Sequence, residues 1–418
     1  MKQMASTETG TLNPSVMAWG SGEAPRVLVV GPDLPHLGVA GSILLHRLFQ
    51  GWPPSSLLAL GPSVASNIPK YPCQFRTYQT PLGRLETTRG VRLLRLLRGL
   101  RVVPAGRIAV ADFQPDVIVH ILSSLAYSEA AYSYSLRSGL PLILILHDDP
   151  EDFNGTYSWA GHLTHKQVQR IYRHATSRLC VSPEMELILR ERHGVAGTVM
   201  YPNRSEAIIP RPPHMSGSLK ERDNLTIGFA GSMSYGYVDR LLELAPVFRK
   251  EKVKVRVYGG NLPLTSCADV FLHQGRVSTP EALWERVKDE CDAVILPYCL
   301  PHHGHQKLFR THFPSKLPEY LALGMPVIIT GPSYATGVKW GLSHPGSCVV
   351  ITEHEGEKLS KALTQLRLDA ELRRGLSINS VAAGDRDFEP VAIRSSFQRL
   401  LAEVARASKQ VSTVVGRI

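Results

Sequence analysis

At 418 residues the chain is too long for one hydrophobic core and suits two domains, and its 43% hydrophobic and 20% charged content is that of an ordinary globular protein. Forty-seven basic against 36 acidic residues leave a net charge of +11, which favours anionic partners: a nucleotide, a membrane surface or nucleic acid. The cysteines (Cys73, Cys180, Cys267, Cys291, Cys299, Cys348) lie far apart with no CxxC pair and no histidine at metal spacing, and read as reduced, mostly buried thiols in a cytosolic protein. No stretch reaches the roughly 18 apolar residues of a membrane span, and no signal-peptide core opens the chain.

Residues 1–23 are polar and rich in Ser, Thr and Gly, and read as a flexible tail. A first domain is expected over residues 24–205. Arg26 to Gly31 is a buried-strand run, followed by a loop holding Gly38 and Gly41 and a helical pattern from Ser42 to Phe49. Strand, glycine loop and helix open a βαβ unit, with the loop where backbone can approach a ligand or simply make a tight connection. Leu57 to Leu60 reads as the next strand.

Residues 84–107 are the most basic part of the chain. As a helix they gather Leu93, Leu96, Leu97, Leu100 and Val103 on one side and fan Arg92, Arg95, Arg98 and Arg101 over the other. Such a helix suits an anionic bilayer surface; the alternative is leucines packed on the core beneath a solvated arginine face. Without interleaved aromatic residues to stack on bases, nucleic acid is not expected. Further βα units follow: a strand over Asp116 to His120, a helix over Ser124 to Ser138, and a strand over Pro141 to Leu146 that ends in His147-Asp148-Asp149. Ligands of open parallel sheets lie off the carboxyl ends of strands, which places His147 well for function, or for hydrogen-bonding the loop that follows. A helix around Lys166 to His174, a strand over Arg178 to Ser182, a helix over Pro183 to His193 and a short strand over Val199 to Asn203 complete the half.

Residues 206–223 are polar, proline-rich and unpatterned, a natural linker. The pattern restarts over residues 224–390. Leu225 to Ser232 is a strand with a glycine turn at Gly231-Ser232, and a helix follows near Val238 to Lys250. Strands over Val253 to Tyr258 and Val270 to Leu272 precede Gly259 and Gly275-Arg276. A helix over Pro280 to Asp289 and a strand over Ala293 to Pro297 come next, and a polar segment, Tyr298 to Arg310, leads on. Two βα sandwiches with glycines at strand ends imply a deep cleft between domains.

The most informative stretch is Thr311 to Thr330. Ser315 reads as the cap of a short helix, Pro318 falls in its first turn, and Gly324 with Pro326 ends it before the buried strand Val327 to Thr330. Lys316 at the helix start suits an anion, and Glu319 one turn on suits a vicinal diol; together they suit a nucleotide. An ordinary capped helix with surface Lys and Glu is the plain alternative.

The order of these segments resembles a GT-B glycosyltransferase, closest to glycosyltransferase family 4 and its relatives, over about residues 25–405. Phe313 to Ile328 resembles the family's KLFEYLAAGKPVI donor segment. Cys180-Val181-Ser182-Pro183 with Tyr201-Pro202-Asn203, Phe229 to Ser232, and Cys291 to Pro297 are supporting matches. Arg386-Asp387-Phe388 and the helix from Val391, within residues 391–418, resemble the terminal helix that crosses back to the first domain. The resemblance implies an α/β fold of GT-B architecture, two Rossmann-like domains facing across a cleft. It implies an enzyme that moves a sugar from a nucleoside diphosphate sugar, with UDP or GDP as the carrier, to a hydroxyl of a glycan, a lipid or a small molecule.

Residue by residue, the resemblance implies that Glu319 binds the donor ribose, that His147 faces the donor sugar, and that Gly38 and Gly41 lie near the diphosphate and acceptor. Lys316 takes the diphosphate, and the loop of Gly275 and Arg276 contacts the base. Thr311, Ser315, Leu317, Gly231, Ser232, Gly259 and Pro297 complete the donor side. The chain also departs from the family: Thr311 stands where an acid is usual, and the Arg and Lys that usually follow Gly231 are replaced by Ser232, Met233 and Ser234. Lys316, with Arg310 or Lys307, is the substitute cation. The expected transfer retains configuration, without cofactor or metal; an inverting enzyme would need a base, for which His147 or Asp149 is nearest. A sugar-nucleotide epimerase, for which the sequence shows no carboxylate pair, and a membrane-surface adaptor with a vestigial nucleotide site are the alternatives. The place expected is the cytoplasm, peripheral on the inner face of the cell membrane.

Overall fold

The computed structural model describes residues 24–80, 108–149, 159–210, 224–260, 267–352 and 356–415, apart from Val39, Ala109, Ser232, Ser234, Tyr235 and Ser278. The tail through residue 23, the arginine segment with Arg92, Arg95, Arg98 and Arg101, and Ser232 lie outside the described residues.

The first domain runs β1 (Val27–Val30), α1 (Ala40–Leu48), β2 (Leu57–Gly61), β3 (Gln74–Thr77), β4 (Val117–Ile121), α2 (Leu125–Ser138), β5 (Leu142–Leu146), α3 (Trp159–His174), β6 (Ser177–Cys180), α4 (Pro183–His193) and β7 (Thr198–Val199). Its strands form one parallel sheet in the order β3-β2-β1-β4-β5-β6-β7. Strands covered by helices on both faces must be apolar throughout, and β1, β4 and β5 are buried along their whole length. Among the residues of β1, β4 and β5 one is polar. His120 of β4 places Nδ1 2.6 Å from the Val30 carbonyl and Nε2 2.7 Å from the Ser128 hydroxyl, and burial lowers its pKa to about 4.

The second domain runs β8 (Thr226–Gly231), α5 (Tyr237–Lys250), β9 (Lys254–Gly259), β10 (Phe271–Gly275), α6 (Pro280–Glu290), β11 (Ala293–Pro297), α7 (Gln306–Thr311), α8 (Lys316–Ala322), β12 (Val327–Gly331), α9 (Thr336–Ser343), β13 (Val349–Thr352), α10 (Gly356–Leu368) and α11 (Ala370–Phe388). Its parallel sheet has the order β10-β9-β8-β11-β12-β13. In each sheet the order reverses beside the first strand, between β1 and β4 and between β8 and β11. Loops leaving such a pair diverge and open a crevice at the carboxyl ends.

The last helix, α12 (Pro390–Val415), returns to the first domain as expected. Phe397 meets Phe49 edge-on at 5.5 Å, Leu401 is fully buried, and the Gln398 amide donates to the Leu48 and Gln50 carbonyls at 3.1 and 2.9 Å. No described helix is long and apolar enough to cross a membrane.

Four local expectations change. β3 is an edge strand with a single apolar residue, Phe75, and no apolar run, so periodicity does not reveal it. β7 is only Thr198–Val199 and keeps one of the residues expected over Val199 to Asn203, because Tyr201 to Arg204 turn away to pack between the domains. The segment Tyr298 to Arg310 contains a 3-10 turn and most of α7. Ser315 does not cap α8: its own φ and ψ are −60° and −15°, already helical, and its side chain makes no capping bond.

Candidate functional site

The two crevices face one another and enclose a cavity of about 300 Å³. The first domain contributes Asp33 after β1, Gly41 of α1, Ser123 after β4, and His147 and Asp148 after β5. The second contributes Tyr237 from the start of α5, and His312, Pro314, Ser315 and Lys316 around the start of α8.

Asp148 joins the halves. Its Oδ1 lies 2.9 Å from Nδ1 of His312 and its Oδ2 3.5 Å from Nδ1 of His147. Burial alone would raise the Asp148 carboxyl, but hydrogen bonds from His147 and His312 hold it far below the usual carboxylate range. Burial alone would lower His147, yet the Asp148 hydrogen bond and the charges of Asp148 and Asp33 push it above its ordinary value. The His312 carbonyl is held in turn by the Thr336 hydroxyl. Donor atoms of His147, Asp148 and His312 lie within 4.8 Å of one another, close enough to share a metal ion.

Asp33 sits beside this group and accepts the Ser123 hydroxyl. Burial raises its carboxyl, Asp148 adds to the rise, and Ser123 and His147 oppose it. A Cβ on Gly41 would come within 2.7 Å of Asp33 Oδ1, so only glycine leaves the carboxyl room there.

Lys316 is the cleft's cation. Its ammonium lies 4.4 Å from the centre of the Tyr237 ring and 5.7 Å from that of Phe229, faces that favour a charge partly stripped of water. Burial lowers its pKa to about 8. The side chain crosses the end of β8 where a Cβ on Gly231 would stand 2.4 Å from Cε; Gly231, at φ +122°, has none to offer. Seven residues long, with Leu317 N–H already donated to the Pro314 carbonyl, α8 adds little beyond this lysine.

Glu319 is placed differently from expectation. It does not line the cavity. Its Oε1 meets Arg47 Nη2 from α1 at 2.7 Å, and both carboxylate oxygens lie 3.3 Å from the Ser205 amide. Thr311, where an acid is usual, is buried with its hydroxyl 3.4 Å from the Leu308 carbonyl, while its own carbonyl accepts the hydroxyl of Ser182, the residue that caps α4. Leu317 is core. Gly38 donates to His36 Nδ1 at 3.0 Å, and Gly259, Gly275, Arg276 and Pro297 stand at their strand ends outside the cavity lining. Arg310 lies over the Tyr334 ring at 4.9 Å, so it is not a cavity cation. Asp149 is no candidate base, because both its oxygens are taken by Arg192 at 2.8 and 2.9 Å. The carboxylate pair not seen in the sequence exists as Asp33 and Asp148, brought together from the ends of β1 and β5. Asp148, next to His147 in sequence, positions it as its place suggests, whereas Asp33 and His312 carry no residue-level signal of their own. The strand-end rule that marks His147 reaches Asp33 as well, but nothing near His312 points to its role.

Residues 22–204, just under half of the chain, match the family model described as glycosyl transferase 4-like domain. Among solved structures, the chain is similar to HepE of Anabaena, solved with UDP and glucose, at 14% identity and a TM-score of 0.63 over 90% of this chain and 99% of that one. It is similar to sucrose-phosphate synthase of Thermosynechococcus elongatus at 13% identity and a TM-score of 0.65, covering 92% of this chain and all of that one. The fold is that of the GT-B glycosyltransferases. The lipopolysaccharide outer core galactosyltransferase WaaB shares this GT-B fold at 14% identity and a TM-score of 0.56, over 92% of this chain and 99% of that one. A comparison with curated protein sequences finds no match. Within the GT-B frame the cavity occupies the interdomain cleft, with Asp33, His147 and Asp148 on one wall and Lys316 and His312 on the other.

Proposed function

We propose that the protein is a glycosyltransferase that moves a sugar from a nucleoside diphosphate sugar, UDP or GDP being the carrier, to an acceptor hydroxyl of a glycan, a lipid or a small molecule. The observation that carries this is Lys316: a half-buried side chain whose ammonium is held over two aromatic faces at the carboxyl end of β8, in the cleft of a GT-B fold. As the bond to the leaving diphosphate breaks, negative charge develops on its oxygen. A fixed cation in a water-poor site stabilises that charge more than it stabilises the ground state. Ser315, exposed beside it, supplies a hydroxyl. UDP in HepE supports the choice of carrier.

The acceptor enters from the first domain, where His147 and Asp33 face the cavity. Transfer is proposed to retain configuration and to need no metal, Lys316 supplying the positive charge. Glu319 takes the ribose in this proposal only by exchanging Arg47 for the diol. The Asp33 carboxyl is favoured by its raised pKa as the base an inverting reaction would use in place of Asp149. Peripheral attachment to an anionic membrane through the arginine segment and a cytoplasmic place remain part of the same proposal.

Purified protein incubated with UDP- and GDP-sugars tests this. Release of UDP or GDP that Lys316→Met abolishes supports it, with the product anomer read by NMR and a chelator arm reporting metal need. No calorimetric binding of either nucleotide would overturn it.

A further inference from the structure

Away from the cleft, two imidazoles and a carboxylate converge on one point. His302 and His303 follow Pro301 in the 3-10 turn between β11 and α7. Their ring centres are 4.1 Å apart, and both Nε2 atoms lie 2.8 Å from the same oxygen, Oε1 of Glu243 in α5. The second carboxylate oxygen accepts Arg240 Nη1 at 3.0 Å, so the carboxylate is oriented from behind while Oε1 stays turned to the histidines.

A carboxylate has about four lone-pair positions over its two oxygens, and two imidazole N–H donors ordinarily spread over them. Here both crowd one oxygen while Arg240 holds the other. Two imidazole nitrogens and one carboxylate oxygen are, however, a ligand set for a borderline divalent ion such as zinc. We propose that Glu243, His302 and His303 form a zinc-class metal site on the second domain. Donors at about 2.1 Å from a tetrahedral ion stand about 3.4 Å apart, so the 2.8 Å contacts need open by only about half an ångström. The three side chains are 28%, 58% and 24% exposed, which leaves room for that movement and for water to complete the shell. Arg240, itself buried, plays the outer partner that fixes a ligating carboxylate.

The site is structural by its position. The turn that carries both histidines runs through Gly304 into α7, which ends at Thr311 beside His312 of the cleft. α5 carries Glu243 two turns after Tyr237, the ring that faces Lys316. An ion there braces the two segments that hold the cleft's second wall, whatever reaction the cleft performs.

Full-length protein is stripped with a chelator, dialysed, and titrated with Zn²⁺ and with Co²⁺ as a visible probe. The same is done for His302→Ala/His303→Ala, for Glu243→Gln and for His312→Ala, which disables the cleft trio instead; circular dichroism checks that each is folded. Wild type and His312→Ala are expected to bind one equivalent and to show cobalt bands of low coordination number. A 100-fold excess of Zn²⁺ over Kd is expected to raise Tm by about 5 °C in both. The double variant and Glu243→Gln lose uptake and shift. Equal uptake by the double variant, loss confined to His312→Ala, or no stoichiometric uptake by wild type would each overturn the proposal.

Discussion

Arg47 Nη2 lies 2.7 Å from Glu319 Oε1 and ties the last turn of α1 in the first domain to the first turn of α8 in the second. Arg47 also donates to the Asn203 carbonyl at 2.6 Å, so one guanidinium clamps both domains to the chain that joins them. Both side chains are largely buried, 15% and 7% exposed. Arg47→Met leaves Glu319 a buried charge with only the Ser205 amide, and should destabilise the protein by about 3 kcal/mol in urea denaturation. If Glu319 is the ribose ligand, the same variant binds UDP several-fold tighter than wild type, because no ion pair has to be exchanged first. Unchanged UDP affinity in both Arg47→Met and Glu319→Gln would leave the pair as a structural latch alone.

Lys316 gives a pH signature. Its free-state pKa of about 8 lies below the ordinary lysine value, and a bound diphosphate favours the charged form and raises it. Between those two values each pH unit should weaken UDP binding by up to tenfold, because the amine must first take up a proton. Calorimetry at pH 7 and pH 9, in buffers of different ionisation enthalpy, should show that weakening and a proton taken up at the higher pH. In Lys316→Met the affinity should be lower by about tenfold or more at pH 7 and flat with pH.

The fold was legible where burial dictates pattern. Val27–Val30, Val117–Ile121 and Leu142–Leu146 are covered on both faces, so no residue can be polar without a partner, and the run of apolar side chains announces the strand. Edge strand β3 carries no such demand and stayed invisible. The cleft was half legible. His147 and Lys316 were marked because strand ends and helix starts are where backbone geometry exposes side chains to a ligand. The partner on the facing wall was not, since His312 meets Asp148 across 164 positions of sequence. Glu319 shows the converse: its motif is readable, but its contact with Arg47 depends on how two domains close, which no local pattern records.

Asp148→Asn should separate the two histidines. His147 is raised above 6.5 by Asp148, so the bridge's stabilisation is full below that pH and is lost as pH rises through the raised value. Asp148 is depressed, so its share is present above the ordinary carboxylate value and is lost as pH falls. Wild type should therefore be more stable at pH 5.5 than at pH 8.5 by a component that Asp148→Asn lacks. On the proposed transfer reaction the variant should lose about 100-fold in kcat/KM, the scale of a displaced acid–base group. Histidine NMR titration checks the cause: the His147 resonance should titrate lower in the variant.

His120 predicts acid sensitivity from inside the first domain. The neutral ring accepts or donates at two fixed points, the Val30 carbonyl and the Ser128 hydroxyl, and has no water to receive a charge. Its folded pKa of about 4 lies below the unfolded 6.5, so between those values the unfolded chain binds more protons and stability falls as pH drops. The full difference amounts to about 3 kcal/mol, complete only near pH 4. Urea denaturation of wild type at pH 7, 6, 5 and 4.5 should show the midpoint falling across this range. His120→Asn keeps a donor and an acceptor but does not titrate. It should be less stable at pH 7, through the space left in the core, and should lose markedly less on acidification. Parallel curves for the two proteins would mean that some other group carries the acid response.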